Sequence, residues 1–122
     1  MAKILIVEDD TNQRLLYREA FEEEGFEVID AANGWTAIEC VGRECLDLVV
    51  LDINMPGMDG LEALVRIHDS NRRLPVVIHS AYAEYKNQYK SWIADAYVIK
   101  SSNLAELKRT VLTLLDDARG DA

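Results

Sequence analysis

Short apolar runs alternate along the chain with longer stretches in which apolar residues recur at helical spacing. Ile4-Leu5-Ile6-Val7, Leu48-Val49-Val50-Leu51, Val76-Val77-Ile78 and Tyr97-Val98-Ile99 are rich in β-branched residues and are not interleaved with polar ones. Uninterrupted runs this short suit strands buried on both faces of a parallel sheet. Phe26-Glu27-Val28-Ile29 carries a charge at its second position and reads as an edge strand with one wetter face.

The intervening stretches predict helices. Residues 11–24 place Leu15, Leu16, Ala20 and Phe21 near helical spacing and stop at Gly25, a residue suited to ending a helix. Asn33-Gly34 opens a short second helix carrying Ala37, Ile38 and Val41. Asp59 followed by Glu62 has the form of a capping box for a third helix, which holds Leu61, Leu64, Val65 and Ile67 and ends before Pro75. A fourth helix is expected over about 83–93 and a fifth from Leu104 to about Ala118. Five strands alternating with five helices imply right-handed βαβ crossovers, hence an α/β fold with a doubly wound parallel sheet and helices on both faces. No repeat, low-complexity tract or linker interrupts the pattern, so a single domain over 1–122 is expected, without an output domain in this chain. That length can bury a core without covalent staples.

Charge narrows the class of partner. Lys and Arg number 13 against 22 Asp and Glu, a formal net charge of −9. Such an acidic balance disfavours direct binding to nucleic acid or to an anionic membrane. No apolar run approaches the ~20 residues of a membrane span, and the N-terminus has no signal-peptide architecture. A cytoplasmic protein is expected. The two cysteines, Cys40 and Cys45, are not in CxxC spacing and lie far from His68 and His79. They read as small apolar side chains around a helix end.

A doubly wound sheet places its site at the carboxyl ends of the strands. Glu8-Asp9-Asp10 follows the first strand and Asp52 the third, while Ser80 and Lys100 follow the fourth and fifth. Taken singly, Asp10 or Thr11 can cap the first helix, Lys100 can be a solvated charge and Ser80 a loop hydroxyl; Asp59 is assigned to the cap of the third helix. Asp52 has no such explanation, because it lies seven residues ahead of that cap. A carboxylate beside Glu8 and Asp9 suffers like-charge repulsion and calls for a cation. Mg²⁺ fits, since it takes one or two carboxylates and keeps oxygen ligands from water and phosphate. The parts then suit phosphoryl transfer, with Asp52 as a carboxylate nucleophile, Lys100 balancing charge on a phosphoryl oxygen and Ser80 donating a hydrogen bond.

These residues carry a resemblance. Ile4-Leu5-Ile6-Val7-Glu8-Asp9-Asp10, then the stretch from Leu48 through Asp52-Ile53-Asn54-Met55-Pro56-Gly57-Met58-Asp59-Gly60, then His79-Ser80-Ala81, then Tyr97-Val98-Ile99-Lys100 occur in an order and spacing similar to the receiver domains of two-component response regulators. The resemblance spans essentially the whole chain and implies a flavodoxin-like sheet of strand order 2-1-3-4-5. It implies that Asp52 accepts a phosphoryl group from a sensor histidine kinase or a phosphotransfer protein, as in a phosphorelay, and forms a 4-aspartylphosphate. It implies that Asp9, Asp52 and the backbone carbonyl of Asn54 bind Mg²⁺ (or Mn²⁺), with Glu8 acting through water. Lys100 would pair with the phosphoryl group, Ser80 would move toward it, and Tyr97 would change rotamer. The face made by the fourth helix, fifth strand and fifth helix would then be remodelled toward a downstream protein target, in a monomer or a phosphorylation-dependent dimer. Asn54 and Tyr82, two residues beyond Asp52 and Ser80, would gate water and the lifetime of the phosphoaspartate, with bulky Tyr82 slowing hydrolysis.

Two positions depart from the pattern. Lys100 is followed by Ser101 where many receivers have a cis proline, which leaves the peptide open as trans or as a strained cis bond. Asp95-Ala96 stands where Gly-Ala is usual. Tyr85, Tyr89 and Trp92 share one stripe of the fourth predicted helix and divide between core packing and a partner face; Trp35 reads as partly exposed packing. Kinase choice is expected to lie in surface residues of the first helix, around 12–16. The rival readings are a receiver-like scaffold that is not phosphorylated, a phosphohydrolase using Asp52, and a flavin carrier. The intact acidic set speaks against the first, the absence of a cap domain against the second, and the negative charge after the first strand against the third. The leading expectation is a signalling receiver that catalyses only its own phosphorylation and dephosphorylation.

Overall fold

Each apolar run becomes a parallel strand. The computed structural model describes residues 2–55, 57–81 and 93–120. Strands β1 (Lys3–Val7), β2 (Glu27–Ala31), β3 (Leu48–Leu51), β4 (Val76–Ser80) and β5 (Ala96–Ile99) form one sheet in the order β2-β1-β3-β4-β5, all parallel. The reversal between β1 and β3 is the switch point at which such sheets open a crevice at their carboxyl ends. Helices α1 (Thr11–Glu23), α2 (Gly34–Arg43), α3 (Gly60–Ser70) and α4 (Ala105–Gly120) cover its two faces. Five helices were expected. Four are found among the described residues, because the expected helix over about 83–93 falls on residues 82–92, which lie outside them, together with Tyr82, Tyr85, Tyr89 and Trp92.

Side-chain alternation along the strands divides the core in two. Leu5, Val7, Val49, Leu51, Val76 and Ile78 pack with α2 and α3 through Ala37, Cys40, Leu64 and Ile67. Ile4, Ile6, Leu48, Val50, Val77 and Val98 pack with α1 and α4 through Tyr17, Phe21, Leu107 and Val111. Burial on both faces explains the unalternated runs of β1, β3 and β4, each large side chain contributing roughly 1.5–3 kcal/mol. At the edges the pattern loosens. Glu27 of β2 is exposed as expected, and β5, whose run suggests full burial, is the other edge, with Tyr97 and Ile99 only half-buried.

The core face of α1 departs from expectation. Leu15 and Leu16 are 51% and 53% exposed, while Tyr17, Ala20 and Phe21 are buried. Residues at i, i+4, i+7 and i+8 form one helical stripe, and here that stripe is Gln13, Tyr17, Ala20 and Phe21. Of the cysteines, Cys40 is buried in the core but Cys45 is exposed.

Helix starts are closed by short polar side chains. Asp10 accepts from the Gln13 N–H at 2.9 Å, Asn33 from Thr36 at 2.9 Å and Asp59 from Leu61 at 2.8 Å. Glu62 pairs with Arg66 at 3.0 Å, so the expected capping box is served by its Asp half. The loop leaving β3 turns at Gly57, whose φ is +84°, and docks on itself at Gly60. The Gly60 N–H donates to the Ile53 carbonyl at 3.0 Å, and a Cβ there would lie 2.3 Å from the Ile53 Cα. Only hydrogen fits. Gly60→Ala is therefore expected to lower unfolding stability by about 2–3 kcal/mol, read from urea denaturation, through displacement of the backbone that carries Asp52 and Asn54.

Candidate functional site

Backbone ladders run one residue past the strand ends and fix the positions just beyond them. The Glu8 N–H donates to the Ala31 carbonyl at 3.0 Å, Asp52 to Val7 at 3.0 Å, and Lys100 to Ser80 at 2.7 Å. Glu8, Asp52, His79 and Lys100 each stand two residues after an apolar side chain of the α1/α4 face, namely Ile6, Val50, Val77 and Val98. A period of two carries these four polar groups to that same face. Glu8, Asp52 and Lys100 meet around a cavity of about 250 Å³ at the carboxyl rim of the sheet, lined also by Asp9, Asp10, Gln13, Asn54 and Ala81.

Glu8, Asp9 and Asp52 place carboxylate oxygens within 4.8 Å of one another. Glu8 and Asp52 are buried, at 2% and 5% exposure, and Asp9 is exposed. Lys100 answers them. Its Nζ donates to Glu8 Oε1 at 2.5 Å, to Gln13 Oε1 at 2.9 Å and to Asp52 Oδ2 at 3.4 Å. The Asn54 N–H donates to the other Asp52 oxygen at 3.2 Å, and the Asp10 N–H donates to Glu8 Oε2 at 3.2 Å. Three carboxylates against one ammonium leave a formal charge of −2 on a set of hard oxygen donors. That donor chemistry suits a small divalent cation and does not suit a soft metal.

Titration follows from this geometry. Although Asp9 is exposed, it is held above its ordinary value, first by partial loss of hydration at the cavity rim and then by the Glu8 carboxylate, which hydrogen-bonds and repels it. For Lys100 burial is the largest influence and pulls downward. The Glu8 hydrogen bond and the charges of Asp52 and Glu8 together outweigh it, so Lys100 is held above its ordinary value and stays protonated.

Ser80 is fully buried at the end of β4, and Tyr97 lies half-buried on β5 opposite Ile78. The expected residues Glu8, Asp9, Asp52, Asn54 and Lys100 thus share one cavity. Ser80 is not among its lining residues, though the next residue, Ala81, is, and Tyr97 lies on β5, three residues before Lys100. The peptide between Lys100 and Ser101 is trans. Trp35, in the first turn of α2, is exposed, with the Arg66 guanidinium 5.2 Å from its ring centre, so it packs on α3.

Four residues under the site were not expected. Arg14 donates to the Glu8 carbonyl at 2.8 Å and fastens α1 to the loop after β1. Gln13 receives Lys100, and the Tyr17 hydroxyl donates to the same Gln13 oxygen at 3.0 Å. The Tyr17 ring meets His79 edge to face, with centroids 5.0 Å apart. The available signal was a polar residue, Gln13, standing on the buried stripe of α1.

The chain matches the response regulator receiver domain over residues 4–112. Sporulation initiation phosphotransferase F of Bacillus subtilis is 45% identical over 82 residues, 67% of this chain and 66% of that protein. Regulatory protein AtoC of Escherichia coli is 40% identical over 111 residues, 89% of this chain and 24% of that protein. The chain therefore spans about two thirds of one of these curated relatives and about a quarter of the other. Among solved structures, response regulator TrrA of Thermotoga maritima in complex with Mg²⁺-BeF is 41% identical with a TM-score of 0.91, covering 93% of this chain and 99% of that one. TrrA in complex with the histidine kinase ThkA is 42% identical with a TM-score of 0.89, covering 94% and 99%. The chain belongs to the response regulator receiver domain family, a class of two-component signal-transduction module. No helix among the described residues is long and apolar enough to cross a membrane.

His79 generates a pH dependence. Burial, then the Lys100 charge, lowers its pKa from 6.5 to about 4, so the folded protein keeps it neutral. The unfolded chain binds that proton at higher pH, so this contribution is complete above about pH 6.5 and is lost as pH falls toward 4. It amounts to about 2 kcal/mol between pH 7.5 and pH 5. Wild type is expected to lose that much more stability over this interval than His79→Phe, measured by urea unfolding at both pH values.

Proposed function

We propose that the chain is a phosphoacceptor receiver in which Asp52 takes a phosphoryl group from the phosphohistidine of a sensor histidine kinase or a phosphotransfer protein. The observation that carries this reading is a buried carboxylate at a strand end with an ammonium group at 3.4 Å and two further carboxylates within 4.8 Å. An Asp52 oxygen attacks phosphorus, the N–P bond breaks, and its electron pair returns to the imidazole of the donor. No general base is required, because an ionised carboxylate brings its own lone pair.

Asp9, Asp52 and the backbone carbonyl of Asn54 would hold Mg²⁺ (or Mn²⁺), with Glu8 acting through water. Bound there, the cation supplies positive charge against the phosphoryl oxygens. Lys100 neutralises a further oxygen, moving its donor from Asp52 Oδ2 to the new phosphate. Ser80 donates to a third, and the change is passed to Tyr97 on β5 and to the face formed with the last helix, α4. A local change of charge thus biases a two-state surface toward a downstream protein target. Dimerisation on phosphorylation would be one form of that output.

The complex of TrrA with a histidine kinase supports a kinase as the donor. Exposed Leu15 and Leu16 on α1 lie in the segment where kinase choice is expected, on the helix that lends Gln13 to the site. Catalysis of this kind acts on the chain itself, so the role is that of a signalling switch. Asn54 at the rim and Tyr82 would set how readily water reaches the phosphoaspartate.

The test is intact mass after incubation with acetyl phosphate and Mg²⁺. Wild type is expected to gain one phosphoryl group, Asp52→Ala none, and a chelator to abolish the gain. Lys100→Met is expected to slow it on the order of 10²-fold. An equal gain in Asp52→Ala, or one indifferent to chelator, would contradict the reading, and no gain in wild type would favour the scaffold alternative.

A further inference from the structure

Lys100 has three ammonium hydrogens, and three oxygens surround its Nζ: Glu8 Oε1 at 2.5 Å, Gln13 Oε1 at 2.9 Å and Asp52 Oδ2 at 3.4 Å. All three donors have an acceptor, and the longest of the contacts points at the carboxylate that is to be modified. Two of the three acceptors are acidic residues of the site. The third is a neutral amide on α1, set on the stripe that continues through buried Tyr17, Ala20 and Phe21.

The orientation of that amide is fixed by its neighbours. Ammonium and phenol can both donate to it, and the same Gln13 oxygen accepts from Lys100 and from the Tyr17 hydroxyl at 3.0 Å. Burial raises the Tyr17 pKa, so the phenol remains a donor. The ring of Tyr17 is in turn seated edge-on against buried His79 of β4. A chain of contacts therefore runs from the floor of β4 through α1 to the lysine.

We infer that Gln13 is a positioning residue that holds the Lys100 ammonium group away from full ion pairing with Asp52, with Tyr17 holding Gln13. The inference rests on the reading of Asp52 as phosphoacceptor. Without the amide, the third ammonium hydrogen has only the two carboxylates left, and Nζ closes on Asp52 Oδ2. That contact would draw electron density from the nucleophilic carboxylate and occupy the space a phosphoryl oxygen must enter. Holding the lysine between Glu8 and Gln13 keeps it close enough to reach the phosphate once formed and leaves the Asp52 lone pairs available.

Gln13→Met keeps the approximate length and volume of the side chain and replaces the amide, its NH2 group included, with a thioether that accepts only weakly. In the full chain at saturating Mg²⁺ and acetyl phosphate, the rate of phosphoryl gain is expected to fall about tenfold, the loss of one hydrogen bond to a charged group. Mg²⁺ affinity, followed by tryptophan fluorescence, is expected to stay within about twofold, because Gln13 contacts the lysine and none of the three carboxylates. The ¹⁵N signal of the Lys100 ammonium group is expected to be sharp in wild type, where all three hydrogens have acceptors, and to broaden in Gln13→Met. Tyr17→Phe should act in the same direction more weakly, and the double variant should be no slower than Gln13→Met alone. A Gln13→Met protein with wild-type rate and an unchanged lysine signal would overturn the inference and leave the receiver reading intact. A rate that fell only in parallel with Mg²⁺ affinity would also overturn it. Wild type that gains no phosphoryl group would overturn the underlying reading and the role of Gln13 with it.

Discussion

Three carboxylates within 4.8 Å of one another, answered by one ammonium group, are the constraint on which the rest of the structure depends. At an effective dielectric of about 20, each like-charged pair at that separation costs on the order of 3–4 kcal/mol. Such a cluster persists only if the backbone under it cannot yield. The rigidity comes from the sheet, whose ladders continue to Glu8, Asp52 and Lys100, and from Arg14, which fastens the Glu8 carbonyl to α1. Repulsion stored in this way favours the binding of a cation among the three carboxylates.

The same alternation that divides the hydrophobic core also selects the polar face. Ile6, Val50, Val77 and Val98 pack against α1 and α4, and two residues further on the same side of the sheet presents Glu8, Asp52, His79 and Lys100. Helix α1 meets this row with the stripe that begins at Gln13. The opposite side receives α2 and α3, and the turn at Gly57 with the close backbone approach at Gly60 returns the chain from Asp52 to α3. Packing and chemistry are thus two ends of one register, and a one-residue slip in β3 would turn Asp52 to the wrong face.

Much of this is legible in the amino-acid order. Unalternated β-branched runs mark buried parallel strands, and in such a sheet the residues at and just past each strand end must converge, which locates Glu8, Asp9, Asp52, Ser80 and Lys100. Asp10 and Asp59 are readable as caps because a carboxylate at a helix start has a local partner in the backbone. Leu15 and Leu16 mislead because hydrophobicity alone does not set the phase of a helix; the buried phase belongs to Tyr17, Ala20 and Phe21. Tyr97 and Ile99 mislead in turn, because a short apolar run does not reveal that its strand is an edge. Gln13, Tyr17 and His79 escape for a different reason: their role lies in contacts between α1, β4 and the residue after β5, which spacing along the chain does not encode. Sequence alone allows either isomer of the peptide after Lys100, which is trans in the fold.

The most direct measurement of the central claim is thermal unfolding of wild type and Asp9→Asn as a function of Mg²⁺. If the cluster is held under repulsion that a cation relieves, the wild-type midpoint rises with Mg²⁺ concentration, as linkage requires. Asp9→Asn, with one charge removed, then unfolds a few degrees higher than wild type in the absence of Mg²⁺ and responds little to its addition. An Asp9→Asn protein that is less stable than wild type without Mg²⁺ and keeps the wild-type response to it would contradict the claim.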